Sequence, residues 1–435
     1  MKQYGKTFIV NKLTLTYKLT NSAILIFLTL FNLGYSAGYT IYTYGQKEHA
    51  MLNAVTAHAE SPASLLQNPA TLVELNGKNL VIGSTIIDTS KTFKSSVTGS
   101  ELKTNGGTFV LPSFFYTHPF SYGTWALGLY PNFGLGTDWN ENWEGRYQGI
   151  KSEMKSIAFH AGFAKKITNN LNLGLGLFLS QTKVATSRAI FNLPTMTDIK
   201  QEFNGDDDWF GFNLGLQYAF SKNWKMGISY MSGKEAKLEG DTSFTFQPGQ
   251  NMLSAFLPNS ATSAELVLPS RLFTGIAFQP SDKWVVEAGW RREFWNNYNE
   301  LTITFTNPAL PITKAPRSWE DANAYMLGLR YNINQQHQIL TGCFFEESPV
   351  PDSTIETSQT FGDKKSLGFG YQYNPSKWSI GGSLILTNEE TRHKNNTIAP
   401  STPAYNPTVN PNDYSANGSY KANTIIYSLN YKVNF

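Results

Sequence analysis

Few side chains in this sequence are spaced for covalent chemistry. His118, His160, His337 and His393 have no nucleophile motif beside them, so a barrel-type Ser–His hydrolase has no local signature. His160, between Phe159 and Ala161, reads as a packed or hydrogen-bonded interior histidine. Asp206-Asp207-Asp208 sets three carboxylates in a row but lacks the spaced ligands of a calcium loop, and reads instead as the opening of a strand. Cys343 is the only cysteine, which excludes an intramolecular disulfide and a thiolate-based metal site. We therefore expect no enzyme, no metal and no cofactor. What remains is a set of charged residues (Glu287, Arg291, Arg330 and Lys432) that alternate with apolar ones. Their use depends on the elements that carry them.

Those elements must be strands. The 435 residues are 15% charged and 14% aromatic, with 35 glycines and a mean hydropathy of −0.30. Soluble domains are nearer 25% charged, and no uncharged apolar run here approaches the ~20 residues of a transmembrane helix. Leu171, Leu173, Leu175, Leu177 and Leu179 interleave with Asn172, Gly174, Gly176, Phe178 and Ser180. Phe212, Leu214, Leu216, Tyr218 and Phe220 do the same with small or polar residues. Period two puts successive side chains on opposite faces of a strand. A lipid-facing row and a crowded or watery lumen would explain the two faces; a soluble sandwich with the large residues inward has the same period.

Turn spacing argues for the barrel. Tight turns fall near 118–123, 167–171, 220–224, 280–283, 334–337 and 374–377. Longer connections fall near 88–106, 138–150, 189–208, 233–268, 295–320, 347–364 and 390–420. Short turns on one side and long loops on the other are the asymmetry of outer-membrane barrels. Six turns and seven loops join fourteen strands. The predicted fold is all-β: a 14-stranded antiparallel transmembrane β-barrel over 78–435. Its last strand, Thr424–Phe435, ends an aromatic alternation on Phe435, resembling the signal read by the barrel-assembly machinery.

Residues 1–36 read as a signal peptide: four lysines and no acid, an apolar stretch from Ala23 to Leu33, then Gly34 and Ser36 as the small residues of a cleavage site. Its removal lowers the formal net charge from +3 to −1, which lends no support to nucleic-acid binding. Residues 37–77 do not alternate; alanine-rich and punctuated by Ser61-Pro62 and Asn68-Pro69, they read as a helical hatch plugging the lumen. The loop from Phe244 to Leu268 carries Phe246, Met252, Leu253, Phe256 and Leu257, an aggregation risk unless it captures a hydrophobic molecule or packs on itself as a cap.

An ordered series of short segments then resembles the FadL/TodX transporters of long-chain fatty acids and other hydrophobic compounds. It comprises Ala37-Gly38-Tyr39, Asn68-Pro69-Ala70, Tyr130–Thr137 (YPNFGLGT), Gly145-Arg146-Tyr147 and Gly205–Leu216 (GDDDWFGFNLGL). Glu265–Arg271 (ELVLPSR), Glu300–Pro308 (ELTITFTNP) and Glu347–Asp352 (ESPVPD) continue it. Asn-Pro-Ala alone is weak, since it recurs at Asn307–Ala309.

The resemblance implies a fourteen-stranded barrel closed by an N-terminal hatch, in the outer membrane among lipid and lipopolysaccharide, acting as a monomer. It implies passive uptake of a hydrophobic molecule through an internal pocket and out sideways through a kinked third strand. With the third strand near Thr124–Asn132, the kink falls at Phe133, Gly134 and Gly136, and Asn68, Pro69 and Ala70 form the gate in the hatch. A carboxylate ligand calls for a basic residue in the lumen: Arg330 points inward by parity, while Lys183 lies where the family often carries basic residues but points outward unless a bulge intervenes. Two classes stay open: a channel for fatty acids or aromatic hydrocarbons, and an adhesin or receptor using the barrel as a loop platform.

Overall fold

A computed structural model describes residues 38–42, 44–192, 197–250, 254–396 and 416–435. The expected signal peptide, 1–36, lies outside the described residues. Fourteen antiparallel strands close into one barrel. They are β1 (Asn79–Ser95), β2 (Gly107–Phe120), β3 (Gly123–Asp138), β4 (Lys151–Lys166), β5 (Leu171–Asn192) and β6 (Thr197–Ala219). Three strands come in two pieces: β7 (Trp224–Met231, Lys234–Thr245), β8 (Ser260–Leu268, Ser270–Ser281) and β9 (Trp284–Phe294, Glu300–Phe305). The rest are β10 (Ala322–Asn332), β11 (His337–Glu346), β12 (Lys364–Tyr373), β13 (Trp378–Glu389) and β14 (Gly418–Asn434). Closure is made by β1 on β14, in unbroken register from Asn79↔Asn434 to Ser95↔Gly418. A closed sheet leaves no unpaired edge in hydrocarbon, which is why lipid selects it.

The large side chains of each alternation face out, not in as a sandwich would have them. Leu177 is 60% exposed and Leu429 60%, while their neighbours Phe178 and Ser428 are buried. Aromatic pairs ring the short-turn end: Trp125 on Phe163, Trp224 on Phe278, Trp284 on Tyr331 and Trp378 on Tyr431. Such a girdle belongs at the headgroup level, where an amphipathic ring satisfies both phases.

Several of the long connections are shorter than expected. β5 and β6 pair continuously from Leu171↔Tyr218 to Asn192↔Thr197, so most of the loop expected at 189–208 is strand. Asp206–Asp208 therefore sit within β6 instead of opening it. Glu300–Phe305 and Thr313–Pro316, inside the loop expected at 295–320, pair with each other. Above the bilayer these strands no longer need an apolar face, so their alternation fades and sequence patterning loses them.

Candidate functional site: an occupied lumen and an unzipped seam

The described residues before β1, 38–42 and 44–78, lie inside the barrel and are buried almost throughout. Among the described residues this segment is less helical than expected: one five-residue α-helix, Gln46–Ala50, and two 3-10 turns, Pro62–Leu65 and Pro69–Glu74. The wall makes room for them with inward-facing glycines. A Cβ on Gly174 or Gly215 would overlap Pro69 and Ala70, and one on Gly342 would press on the Met51 backbone. Asn68 uses every arm of its amide. Its oxygen caps Ala70 N at 3.0 Å, and its Nδ2 donates to Thr56 O at 2.8 Å and to Leu216 O on β6 at 3.0 Å. Pro69 follows at the first position of its 3-10 turn, where the missing N–H leaves no bond unmade. Asn68-Pro69-Ala70 thus ties two stretches of the inner segment to the wall.

A buried ionic collar makes a second tie. His58 sits between Glu287 of β9 (2.6 Å) and Glu60 (2.7 Å), and Glu60 also receives Arg330 of β10 at 2.7 Å. Glu287 accepts Ala57 N at 2.9 Å as well. Arg330 does face inward, but it is held by the inner segment. Burial alone would lower the His58 pKa; the hydrogen bonds and charges of Glu287 and Glu60 outweigh it and hold it up at about 9. Burial would lift that of Glu60, but Arg330 and Lys47 keep it well below the usual carboxylate range. With a raised pKa, His58 contributes its full stabilisation below about pH 6.5 and loses it as pH rises through about 9. The depressed Glu60 contributes above its ordinary 4.5 and fails only as pH falls through its lowered value. The inner segment should therefore become protease-sensitive above about pH 9, with neutral pH inside the protected window. Unchanged proteolysis between pH 7 and pH 10 would show that the collar does not latch it.

The wall itself is open at one seam. β2 pairs with β3 only from Phe114↔Leu129 to Phe120↔Gly123. Above that, β2 stays with β1 and β3 stays with β4. The β3–β4 register shifts between Pro131 and Phe133, leaving Asn132 as an extra residue. So β3 runs on to Asp138, and its distortion is a bulge at Asn132, just ahead of the expected kink. A bulge bends its strand and breaks pairing. Asn132 turns inward to Ser180 (3.1 Å), Phe133 is fully buried, and Gly134 and Gly136 lie opposite Lys155 and Glu153. A cleft of about 330 Å³ occupies the seam, bordered by Gly106–Phe109, Gly136–Asp138 and Lys91.

The inner segment takes the edge that β2 leaves. Thr40 forms an antiparallel bridge with Phe133; Gly134 N donates to Tyr39 O (2.8 Å) and Ile41 N to Asn132 O (3.1 Å). Tyr39 also floors a second cavity, of about 220 Å³, towards the loops, lined by Leu135, Met154, Phe203, Leu238 and Leu266 with Arg188 and Arg317. Its ring packs on Trp295 and Trp319.

Other expected site residues fall elsewhere. Lys183 lies on the outward row, opposite Lys155 and Asp206, because no bulge interrupts β5–β6. In the outer loop, Phe246 and Leu257 pack on Ile190, Ile199, Phe244 and Leu310, while Phe256 stands 72% exposed. Met252 and Leu253 lie outside the described residues. His160 is interior, bonded to Tyr130 Oη (2.9 Å) and Asn213 Oδ1 (3.1 Å). Sequence reading missed the glycine seats and the Thr40–Phe133 bridge. The glycines were visible as inward positions; the bridge had no local signal.

A family model described as "Outer membrane protein transport protein (OMPP1/FadL/TodX)" matches residues 34–435. The chain is 24% identical over 394 residues to the 47 kDa outer membrane protein of Pasteurella multocida (strain Pm70), covering 84% of this chain and 89% of that protein. It is 21% identical over 356 residues to the long-chain fatty acid transport protein of Escherichia coli (strain K12), covering 73% and 79%. Among solved structures, a FadL homologue of Pseudomonas aeruginosa superposes with a TM-score of 0.80 at 17% identity, over 92% of this chain and 100% of that one. The toluene transporter TodX of P. putida gives 0.71 at 19%, over 90% and 98%. The match runs through the inner segment and the whole barrel, and this chain belongs to the OMPP1/FadL/TodX family of outer membrane transport proteins.

Proposed function

We propose that the chain is a passive channel for long-chain fatty acids, which rest in the outer cavity and leave sideways through the β2–β3 seam. One observation carries this reading. The strand that floors the cavity, Tyr39–Ile41, is the same strand that covers the free edge of β3. A single displacement of it joins cavity to seam. Each buried methylene contributes ~0.8 kcal/mol, so a long acyl chain binds such a cavity without catalytic groups. The relatives carry the substrate choice: the E. coli protein is named for long-chain fatty acids, TodX for toluene. Phe256 offers a first landing point, and Phe435, 71% exposed at the end of β14, stays available to the assembly machinery.

Uptake of radiolabelled oleate by a deletion strain carrying this chain tests the reading. Wild type should restore uptake, whereas Gly134→Val and Pro69→Ala should lower it while still giving a folded, heat-modifiable barrel. Normal uptake by both variants would sink the lateral exit. Unchanged uptake on deletion, with loss of cell attachment, would favour an adhesin instead.

A further inference from the structure

Arg271 is a buried arginine on β8, 3% exposed, whose Nε and Nη2 have no hydrogen-bond acceptor. Four other buried or half-buried arginines hold carboxylates: Arg291 has Glu346, Arg317 has Glu356, Arg330 has Glu60 and Arg392 has Asp352. Arg271 has none within 4 Å among the described residues. The acid directly across from it, Glu293 of β9, is already committed to Tyr42 Oη (2.5 Å), Trp295 Nε1 (2.9 Å) and Arg291 Nε (3.3 Å). The guanidinium instead lies 5.1 Å from the ring centre of Phe133 and 5.8 Å from that of Tyr42. Ring faces offset part of the cost of burying a cation, but they accept no in-plane hydrogen bonds. An arginine left in that state is set for an anion.

We propose that Arg271 receives the head group of a carboxylate-bearing acyl chain at the inner face of the β3 bulge. The assignment rests on the transport reading above and adds to it the residue that tells a carboxylate from a neutral chain. Both rings over the guanidinium belong to the gate: Phe133 to the bulge, Tyr42 to the strand that covers it. When that strand leaves β3, Tyr42 withdraws, Glu293 stays held by Trp295 and Arg291, and the planar fork of Arg271 is free to pair bidentately with a carboxylate. The tail then lies towards Leu266 and Leu238 in the outer cavity. Glu293, directly across, repels a second negative charge, so a monoanion suits the place better than a phosphate dianion. A neutral hydrocarbon would pass without using it.

The test compares oleate with oleyl alcohol, the same chain without the charge, as radiolabelled ligands of the purified full-length protein in nonionic detergent. Arg271→Met should weaken oleate binding by about tenfold to a hundredfold, the worth of a charge-assisted hydrogen bond, and leave oleyl alcohol unchanged. Arg271→Lys should keep most of the oleate affinity. Parallel loss for both ligands, or undiminished oleate binding by Arg271→Met, would overturn the assignment while the channel stands. Wild-type protein that binds neither ligand would overturn the transport reading itself.

Discussion

A disulfide between positions 40 and 133 should stop uptake, and a reductant should bring it back. The bonds from Ile41 N to Asn132 O and from Gly134 N to Tyr39 O flank the pair Thr40↔Phe133, which makes it a non-hydrogen-bonded antiparallel pair. Such pairs bring Cα atoms to about 4.5 Å, inside the range a disulfide spans. The natural tie is weak: two backbone hydrogen bonds contribute about 2 kcal/mol together, which thermal opening reaches readily. A covalent bond removes that freedom, at the cost of one wall side chain, the Phe133 ring. In a Cys343→Ser background, the oxidised Thr40→Cys, Phe133→Cys protein should take up oleate no faster than the deletion strain. The reduced form supplies the reference for loss of the Phe133 ring. Full uptake in the oxidised state would mean that Tyr39–Ile41 need not move and that the seam is not the exit.

Filling a glycine seat should have the opposite effect on small solutes. In Gly174→Leu the new side chain meets the backbone of Pro69 and Ala70. The wall cannot yield there, since β5 is hydrogen-bonded along both edges. Overpacking typically costs about 1–3 kcal/mol, and displacing Asn68 forfeits its bonds to Thr56 and Leu216 at about 1 kcal/mol each. A shift of roughly 3 kcal/mol raises the unseated population about a hundredfold. Liposomes containing the variant should therefore swell far faster in small sugars than those with wild type. Leu175→Val, on the neighbouring lipid-facing position, should change nothing. A variant that stays sugar-tight would show that the Asn68–Ala70 seat is not what closes the lumen.

The strands that cross lipid were legible because the bilayer imposes a strict rule on them. Leu171 to Leu179 and Ile425 to Phe435 must alternate to keep one face in hydrocarbon, and the six tight turns punctuate them. Fourteen strands followed from that punctuation alone. Outside the bilayer the rule lapses, so the extensions at Asn192 and Thr197 and the paired pieces near Glu300 and Thr313 went unread. Parity also placed side chains correctly where no bulge intervenes, sending Arg330 inward and Lys183 outward.

What only tertiary structure decided are the partners across the lumen. Parity gives a direction, not a neighbour. Arg330 meets Glu60 some 270 positions away, whereas Arg271, which the sequence did not single out, meets only aromatic rings. The seam is equally non-local: the bulge at Asn132 frees an edge, but whether β2, Thr40 or nothing covers it depends on how the inner segment folds back. Residue types and period two thus determined by themselves that this chain closes a barrel in lipid, because that constraint acts on every residue of a strand. The gate arises from contacts between distant residues, each made once, and no periodic pattern can encode them.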